Sequence, residues 1–168
     1  RSILQDTWLG KSDAAIWSPQ CDVIVHPTLA GYTRALGTGA GNSVGCATMK
    51  LAGGRVVGRR IDIRLDADNW MSDALPHELT HVVLADRFCH RRIPPWADEG
   101  IGVLSESRTK QTVRARALQA ARTRGHVFTF KELVTLTRFP SRNHRDAFYG
   151  QSASLGQFVL QRGEPARL

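Results

Sequence analysis

Long hydrophobic runs are missing from this sequence, as are internal repeats and low-complexity segments. A membrane-spanning helix needs roughly 18 to 20 consecutive apolar residues, so no such helix is expected. Cysteine is scarce too: 3 residues without a CxxC spacing exclude a disulfide scaffold and a cysteine-based zinc site. Two of the three, Cys21 and Cys46, flank strand-like runs and either form a pair or remain free buried thiols.

Acidic residues are few, with 15 against 23 basic ones, 19 of them arginine, for a formal net charge of +8. Such a surface tolerates nucleic acid, lipid headgroups or an acidic partner domain without selecting among them. The segment 108–124 is especially basic, and no acid occurs from Ser107 to Lys131. A nucleic-acid surface has this composition, but interleaved aromatic residues and a nucleic-acid motif are both lacking. A solvated face or a docking face for another domain is therefore favoured, and nucleic acid is not the expected partner.

The 168 residues suffice for one domain with its own core, since domains cluster near roughly 100 to 150 residues. Strand-like runs dominate residues 1–70 and helical patterns dominate residues 71–168, which predicts a single α+β domain. Because the chain begins at Arg1 rather than Met, we expect a processed form or a piece of a longer chain with flanking domains. No signal identifies its compartment, and an extracytoplasmic or secreted location is favoured over a cytoplasmic one.

Hydrophobic patterning predicts the elements individually. Strands are expected at 21–26, 46–52 and 55–65, and helices at 3–17, 28–37, 72–88, 96–107, 109–124, 130–138 and 146–162. Gly53 and Gly54 favour a hairpin turn, and Thr129 with Glu132 forms a capping box. In the stretch 61–65, apolar and polar residues alternate, which predicts one buried and one wet face.

The stretch HELTH at residues 77–81 carries the clearest chemical signal. Four residues along a helix change direction by only about 40°, so His77 and His81 share one face and can bind one metal ion. Glu78 lies beside that face, placed to accept a proton from a metal-bound water. Glu99 follows 18 residues after His81, beyond a Pro-Pro turn, and can bring a third ligand on the next helix. Zinc is expected because it accepts two imidazoles and a carboxylate and keeps a fourth position for water.

HELTH followed by PPWADEG resembles the gluzincin metallopeptidases, in particular the small peptidase MA-like domains related to the aminopeptidase N and thermolysin families. The resemblance covers roughly residues 56–162 and implies a zincin-like fold. It makes His77, His81 and Glu99 the ligands of one zinc ion and Glu78 the general base and general acid. The ligand spacing is one residue shorter than the usual aminopeptidase arrangement, which leaves Asp98 as an alternative to Glu99.

The segment YGQSASL, which begins at Tyr149, is similar to a later helix of these domains. The resemblance makes Tyr149 the donor that hydrogen-bonds the oxyanion of the tetrahedral intermediate, a role suited to an uncharged phenol. His144 is an alternative donor, because other gluzincins use an imidazole, and simple packing is the plainer role for Tyr149. The other histidines, His26, His90 and His126, have no spacing partner and are expected to be structural or solvated.

The resemblance also assigns a role to the strand that precedes HELTH. In gluzincins this strand is an edge beside the cleft and binds extended peptide through its backbone, which implies the same for residues 61–65. The expected function is zinc-dependent hydrolysis of peptide or protein substrates. The alternative is a non-catalytic binding or sensing module that keeps the metal for structure.

Overall fold

The computed structural model describes residues 17–162, and within them three strands precede most of the helical structure. This arrangement confirms the predicted α+β class. The helix predicted at 3–17 lies, except for Trp17, outside the described residues, as does Gly163, the expected stop of the last helix. In chain order the elements are β1 (Cys21–His26), α1 (Leu29–Leu36), a 3-10 turn (Thr38–Asn42), β2 (Gly45–Ala52), β3 (Arg55–Arg64), a π-helical turn (Trp70–Ala74), α2 (Leu75–Arg87), α3 (Pro95–Ser105), α4 (Arg108–Thr123), α5 (Phe130–Thr135), a 3-10 turn (Arg142–His144) and α6 (Arg145–Arg162).

The sheet has the order β1-β3-β2. Strands β2 and β3 form the predicted antiparallel hairpin, and Gly53 and Gly54 take the positive φ values, 56° and 71°, that its tight turn requires. Strand β1 pairs in parallel with the other side of β3. The implied edge position of residues 61–65 is therefore wrong: β3 is central, and β2 is the edge beside α2. Alternation within one strand carries no information about this distant parallel partner.

The wet face predicted for β3 is also wrong. Ile61 and Ile63 are buried as expected, but Asp62 is fully buried as well. Its carboxylate lies 2.7 Å from His26 Nε2 and accepts two hydrogen bonds of 2.7 Å from the Arg60 guanidinium. Because α1 packs over this face, with Tyr32 against the His26 ring, a carboxylate can remain there only with such partners. His26 is thus structural, as predicted.

We expect Asp62→Asn to lower the free energy of unfolding by about 2 to 3 kcal/mol at pH 7. This loss is smaller than the one expected on breaking a fully buried ion pair, because the Arg60 side chain is 47% exposed. Burial raises the pKa of Asp62, but the hydrogen bonds from Arg60 and His26 outweigh it and hold the pKa below its usual value. A depressed folded pKa stabilises the fold above the unfolded pKa of about 3.9, and this contribution disappears as the pH falls further.

Denaturant unfolding at pH 7 and pH 3 measures this effect. The difference between the wild type and Asp62→Asn should be smaller at pH 3 than at pH 7, because the stabilisation by the Asp62 carboxylate declines as the pH falls below the unfolded pKa and toward the depressed folded pKa. The exposed Asp22 provides a control, since Asp22→Asn should leave stability nearly unchanged at both pH values. An equal deficit of Asp62→Asn at pH 7 and pH 3 would contradict the proposed network.

Helix α2 packs across the sheet, and its far side meets α3. Val82 joins Ile61 and Ile63 in one core cluster, while Leu84 joins Ile101 in a second. Helix α3 is held between α2 and α6. This requires small residues on both sides of α3: a Cβ at Gly102 would lie 2.9 Å from the His77 ring, and one at Gly100 only 2.4 Å from the backbone oxygen of Ser152.

Two helix ends differ from their predictions. The expected N-cap of α2 at Ser72 or Asp73 is wrong, because a π-helical turn precedes the helix and Ala74 occupies the cap without a side-chain bond. The Asp73 carboxylate instead accepts a 3.3 Å hydrogen bond from the backbone of Ser107, at the start of α4. Helix α5 begins with the predicted capping box but ends at Thr135 rather than residue 138. The segment after α5 leaves the helix, and its Thr137 carbonyl accepts a hydrogen bond from the Arg92 guanidinium.

All three cysteines are free thiols in the structure. Cys21 pairs with Arg59 on one side of β3, whereas Cys46 pairs with Asp62 on the other side. With a whole strand between them, the two sulfurs are too far apart for a disulfide. Within residues 17–162, no helix has the length and hydrophobicity needed to cross a membrane.

Candidate metal centre

Helices α2 and α3 bring together the three predicted metal ligands. His77 and His81 lie one turn apart on α2, and both turn Nε2 toward the Glu99 carboxylate of α3, at 3.3 and 3.8 Å. One ligand atom from each of the three residues lies within 4.8 Å of the others. The group can therefore hold a metal ion, which would draw the three atoms onto itself.

A second pair of carboxylates orients the two imidazoles. Asp98 Oδ1 is hydrogen-bonded to His81 Nδ1 at 2.8 Å, and Glu106 Oε1 forms an ion-pair contact of 3.0 Å with His77 Nδ1, although the angle is not that of a hydrogen bond. With the proton on Nδ1 facing a carboxylate, the lone pair of Nε2 is available for a metal, the usual arrangement of metal-binding histidines. Asp98 thus supports His81, and Glu99 rather than Asp98 faces both imidazoles.

The buried carboxylates give the centre a negative field. Burial by itself lowers the pKa of His77, but the carboxylates of Glu106 and Glu99 outweigh it and raise the pKa to about 10. The pKa of His81 is raised in the same way, with burial outweighed by Asp98 and Glu99. A site with this field favours positive charge, supplied either by protons on the imidazoles or by a cation.

The chemistry of the donor set fits a metal better than a self-contained ion pair. Glu99 Oε2 is buried and accepts no hydrogen bond from the described residues, which is costly for a carboxylate oxygen. The atom it faces is His77 Nε2, 3.3 Å away, which offers a lone pair and no proton when Nδ1 carries the proton. A cation between Glu99 and the two Nε2 atoms would satisfy all three ligand atoms at once. Two imidazoles and one carboxylate suit zinc better than magnesium or calcium, which prefer oxygen ligands.

Glu78 lies between α2 and the edge strand β2. Its Oε2 accepts a 2.8 Å hydrogen bond from the backbone N–H of Ala47. Gly45 makes this position possible, because a Cβ there would lie 2.6 Å from Glu78 Cγ. Burial raises the pKa of Glu78, although the neighbouring histidines oppose the shift. A half-buried carboxylate with a raised pKa, next to the group that could hold a metal, is suited to accepting a proton.

Tyr149 lines the same cleft as His77 and Glu78, a space of about 450 Å³. Burial and the charge of Glu99 raise its pKa to about 12, so the phenol keeps its proton as a hydrogen-bond donor. Its ring lies under the guanidinium of Arg114, with 4.3 Å from Cζ to the ring centroid. The alternative donor, His144, does not line this cleft; it contacts Ser141 and the rings of His126 and Phe128.

Sequence reasoning missed Glu106 and Arg114. Arg114 donates two hydrogen bonds, of 3.0 and 3.3 Å, to Glu106, and thereby links the His77 side of the centre to Tyr149. Arg114 therefore points inward, away from the solvated face expected for the basic helix α4. One signal is present in the sequence: Glu106 follows Glu99 by seven residues, two helical turns, so the helix predicted at 96–107 places both on one face, although in the structure Glu106 directly follows the end of α3.

We expect Glu106→Gln to weaken zinc binding by about 10- to 100-fold, the usual effect of removing a carboxylate that orients a ligand histidine. The amide preserves the shape but withdraws the negative charge from His77 Nδ1. Competition with a chromogenic chelator measures the dissociation constant. Glu132→Gln is the matched control, because glutamine serves equally well in the capping box of α5. Unchanged zinc affinity in Glu106→Gln would show that Glu106 does not orient His77.

Comparison with protein family models, curated proteins and solved structures finds no match to this chain. The chemistry of the centre therefore has to be argued from its own residues.

Proposed function

We propose that this chain is a zinc-dependent peptidase of the gluzincin type with a zincin-like fold. One observation carries the proposal: ligand atoms of His77, His81 and Glu99 converge within 4.8 Å of one another, and Glu78 lies beside them against β2. A purely structural metal site needs the three ligands but has no use for a half-buried carboxylate next to them. Zinc, when bound, acidifies water and polarises the carbonyl of the substrate.

The residues around the centre then divide the work of hydrolysis. Glu78 accepts a proton from the attacking water and passes it to the nitrogen of the leaving amine as the C–N bond breaks. The hydroxyl of the water remains on the acyl carbon, so the products are a carboxylic acid and an amine. Tyr149 donates a hydrogen bond to the oxygen that becomes negative in the tetrahedral intermediate. Its pKa of about 12 keeps this donor protonated throughout the neutral range.

The edge strand β2 provides a place for an extended substrate. Arg64 N donates to Val44 O, whereas Ala47 N points away from β3 to Glu78. By the alternation of an antiparallel pair, Gly45, Ala47 and Met49 turn their backbone polar groups away from β3. A peptide that adds to this edge as another strand passes directly by the metal position. The binding of extended peptide through a strand backbone, which the resemblance implied for residues 61–65, is thus proposed for β2 instead of β3.

Metal analysis combined with a protease assay tests the proposal. The purified protein should hold about one equivalent of zinc, and it should cleave a denatured protein substrate. Removing zinc with a chelator should stop cleavage, and adding zinc should restore it. A protein that holds zinc and cleaves no peptide would instead support the non-catalytic module, and one that holds no zinc would contradict both functions.

A further inference from the structure

Two clefts meet at the histidine–glutamate group. The first, with Tyr149, His77 and Glu78 in its lining, is called the tyrosine cleft. The second, about 700 Å³ in volume, is lined by His81, Glu99 and three arginines, and is called the arginine cleft. Strand β2 connects them, because Gly45 lines the tyrosine cleft and Leu51 lines the arginine cleft. An extended chain along β2 therefore occupies both clefts, with one of its peptide bonds at the metal position between them.

The arginine cleft carries an excess of positive charge. Arg91, Arg92 and Arg138 line it and are exposed, and none of them forms an ion pair with a residue in the described part of the chain. The carboxylates in its lining, Asp98 and Glu99, are both directed at His81. Three guanidinium groups therefore face the space of this cleft without a counter-charge of their own.

Much of the remaining lining of the arginine cleft is apolar. Leu51 is 59% exposed and Phe139 51% exposed, and Met49, Phe88 and Ile93 lie beside them in the lining. A guanidinium group beside apolar side chains in a cleft binds a carboxylate more strongly than one in open water, because part of the surrounding solvent is excluded. The arginine cleft is therefore complementary to apolar side chains interspersed with carboxylates.

The tyrosine cleft has no comparable excess. Its four cationic residues are matched by acidic ones in the same lining, and one of them, Arg114, is already bound to Glu106. The cations are Lys110, Arg114, Arg142 and Arg145, and the acids are Asp68, Asp73, Glu78, Glu106 and Asp146. Selection for charge is therefore expected on one side of the cleaved bond only.

We propose that the substrates are acidic polypeptide segments, cut internally, whose Asp or Glu side chains lie in the arginine cleft on one side of the cleaved bond. This inference rests on the proposed peptidase function. Internal cleavage follows because the substrate has binding space on both sides of the metal position, and the acidic preference follows from the three arginines.

Cleavage-site mapping tests the preference. Zinc-loaded protein digests a complex peptide mixture, and mass spectrometry identifies the cleaved bonds. Asp and Glu should be enriched on one side of the cut, and a peptide with Glu at the enriched position should be cleaved about tenfold faster, in kcat/KM, than its Lys counterpart. Equal cleavage of the two peptides by the wild type would overturn the proposal.

Charge reversal assigns the preference to the cleft. The double variant Arg91→Glu with Arg138→Glu should lose the preference for Glu or reverse it. The control pair Arg116→Glu with Arg122→Glu, on α4 and outside the lining of both clefts, changes the net charge equally and should keep the preference. If the control pair abolished the preference as well, overall charge would be responsible and the assignment to the arginine cleft would be wrong.

A binding experiment separates failure of this inference from failure of the peptidase function. Zinc-loaded Glu78→Gln protein is titrated into fluorescent Glu-rich and Lys-rich peptides, and anisotropy reports binding without cleavage. Tighter binding of the Glu-rich peptide that depends on Arg91 and Arg138 supports the inference even if the wild type cleaves nothing. Equal or absent binding of both peptides overturns it, as does preferential binding of a single-stranded oligonucleotide at the same arginines.

Discussion

Replacing Glu78 with glutamine should reduce peptide hydrolysis by about 100- to 10,000-fold while zinc remains bound. The amide oxygen of the substituted side chain can still accept the hydrogen bond from Ala47 N, so the side chain keeps its place between α2 and β2. None of the three ligand residues is changed. What is lost is the ability to take a proton from water and to return it to the leaving amine.

This substitution should not lower stability. Because burial raises the pKa of Glu78, the charged form is disfavoured in the folded state, and a neutral amide relieves that cost. The midpoint of thermal unfolding should therefore stay the same or rise. Initial rates on a fluorogenic peptide, zinc content and the unfolding midpoint are measured together, with Glu132→Gln as the control. Wild-type rates in Glu78→Gln would show that Glu78 is not the proton acceptor.

Much of the centre could be predicted from the sequence because its information is local. His77 and His81 are separated by four residues, and any helix places them on one face, so only the helix itself had to be predicted. Glu99 is less local, yet the helix after Pro94 and Pro95 has few ways to return across α2. The roles of Gly100 and Gly102 could not be predicted without the structure. Gly102 leaves room for the His77 ring, and Gly100 leaves room for the backbone of α6.

The predictions that proved wrong share one physical cause: each depended on contacts between residues far apart in the sequence. Asp62 looked solvated because alternation describes a strand with one face in water, and only the packing of His26 from β1 reveals the second buried face. The edge position implied for residues 61–65 is wrong for the same reason, since β1 pairs in parallel with β3 across more than thirty residues of sequence. Arg114 belongs to a basic helix whose composition is typical of a surface, and only its bonds to Glu106 turn it inward.

Long-range contacts also connect the orientation of His77 to the position of Tyr149. Glu106, Arg114 and Tyr149 form a continuous chain of contacts from His77 to the proposed oxyanion donor. The orientation of His77 and the position of the Tyr149 phenol thus depend on the same guanidinium group. Substitutions of Glu106 or Arg114 should consequently affect metal binding and hydrolysis together, whereas Glu78→Gln should affect hydrolysis alone.

Replacing Glu99 with glutamine should produce the largest loss of metal binding, more than about 100-fold, because Glu99 is proposed as a ligand itself whereas Glu106 and Asp98 contact only the imidazoles of the proposed ligands. Zinc at about 100 times its wild-type dissociation constant stabilises a fold by about 2.7 kcal/mol, and a 100-fold weaker site reduces this to under about 0.5 kcal/mol. Thermal unfolding with zinc and with chelator therefore gives a shift in the wild type and almost none in Glu99→Gln. Because each protein is compared with its own chelated form, any change in the stability of the metal-free fold cancels. Zinc affinity should fall in the order wild type, then Asp98→Asn and Glu106→Gln, then Glu99→Gln; a Glu99→Gln protein that binds zinc as tightly as Glu106→Gln would remove Glu99 from the ligand set.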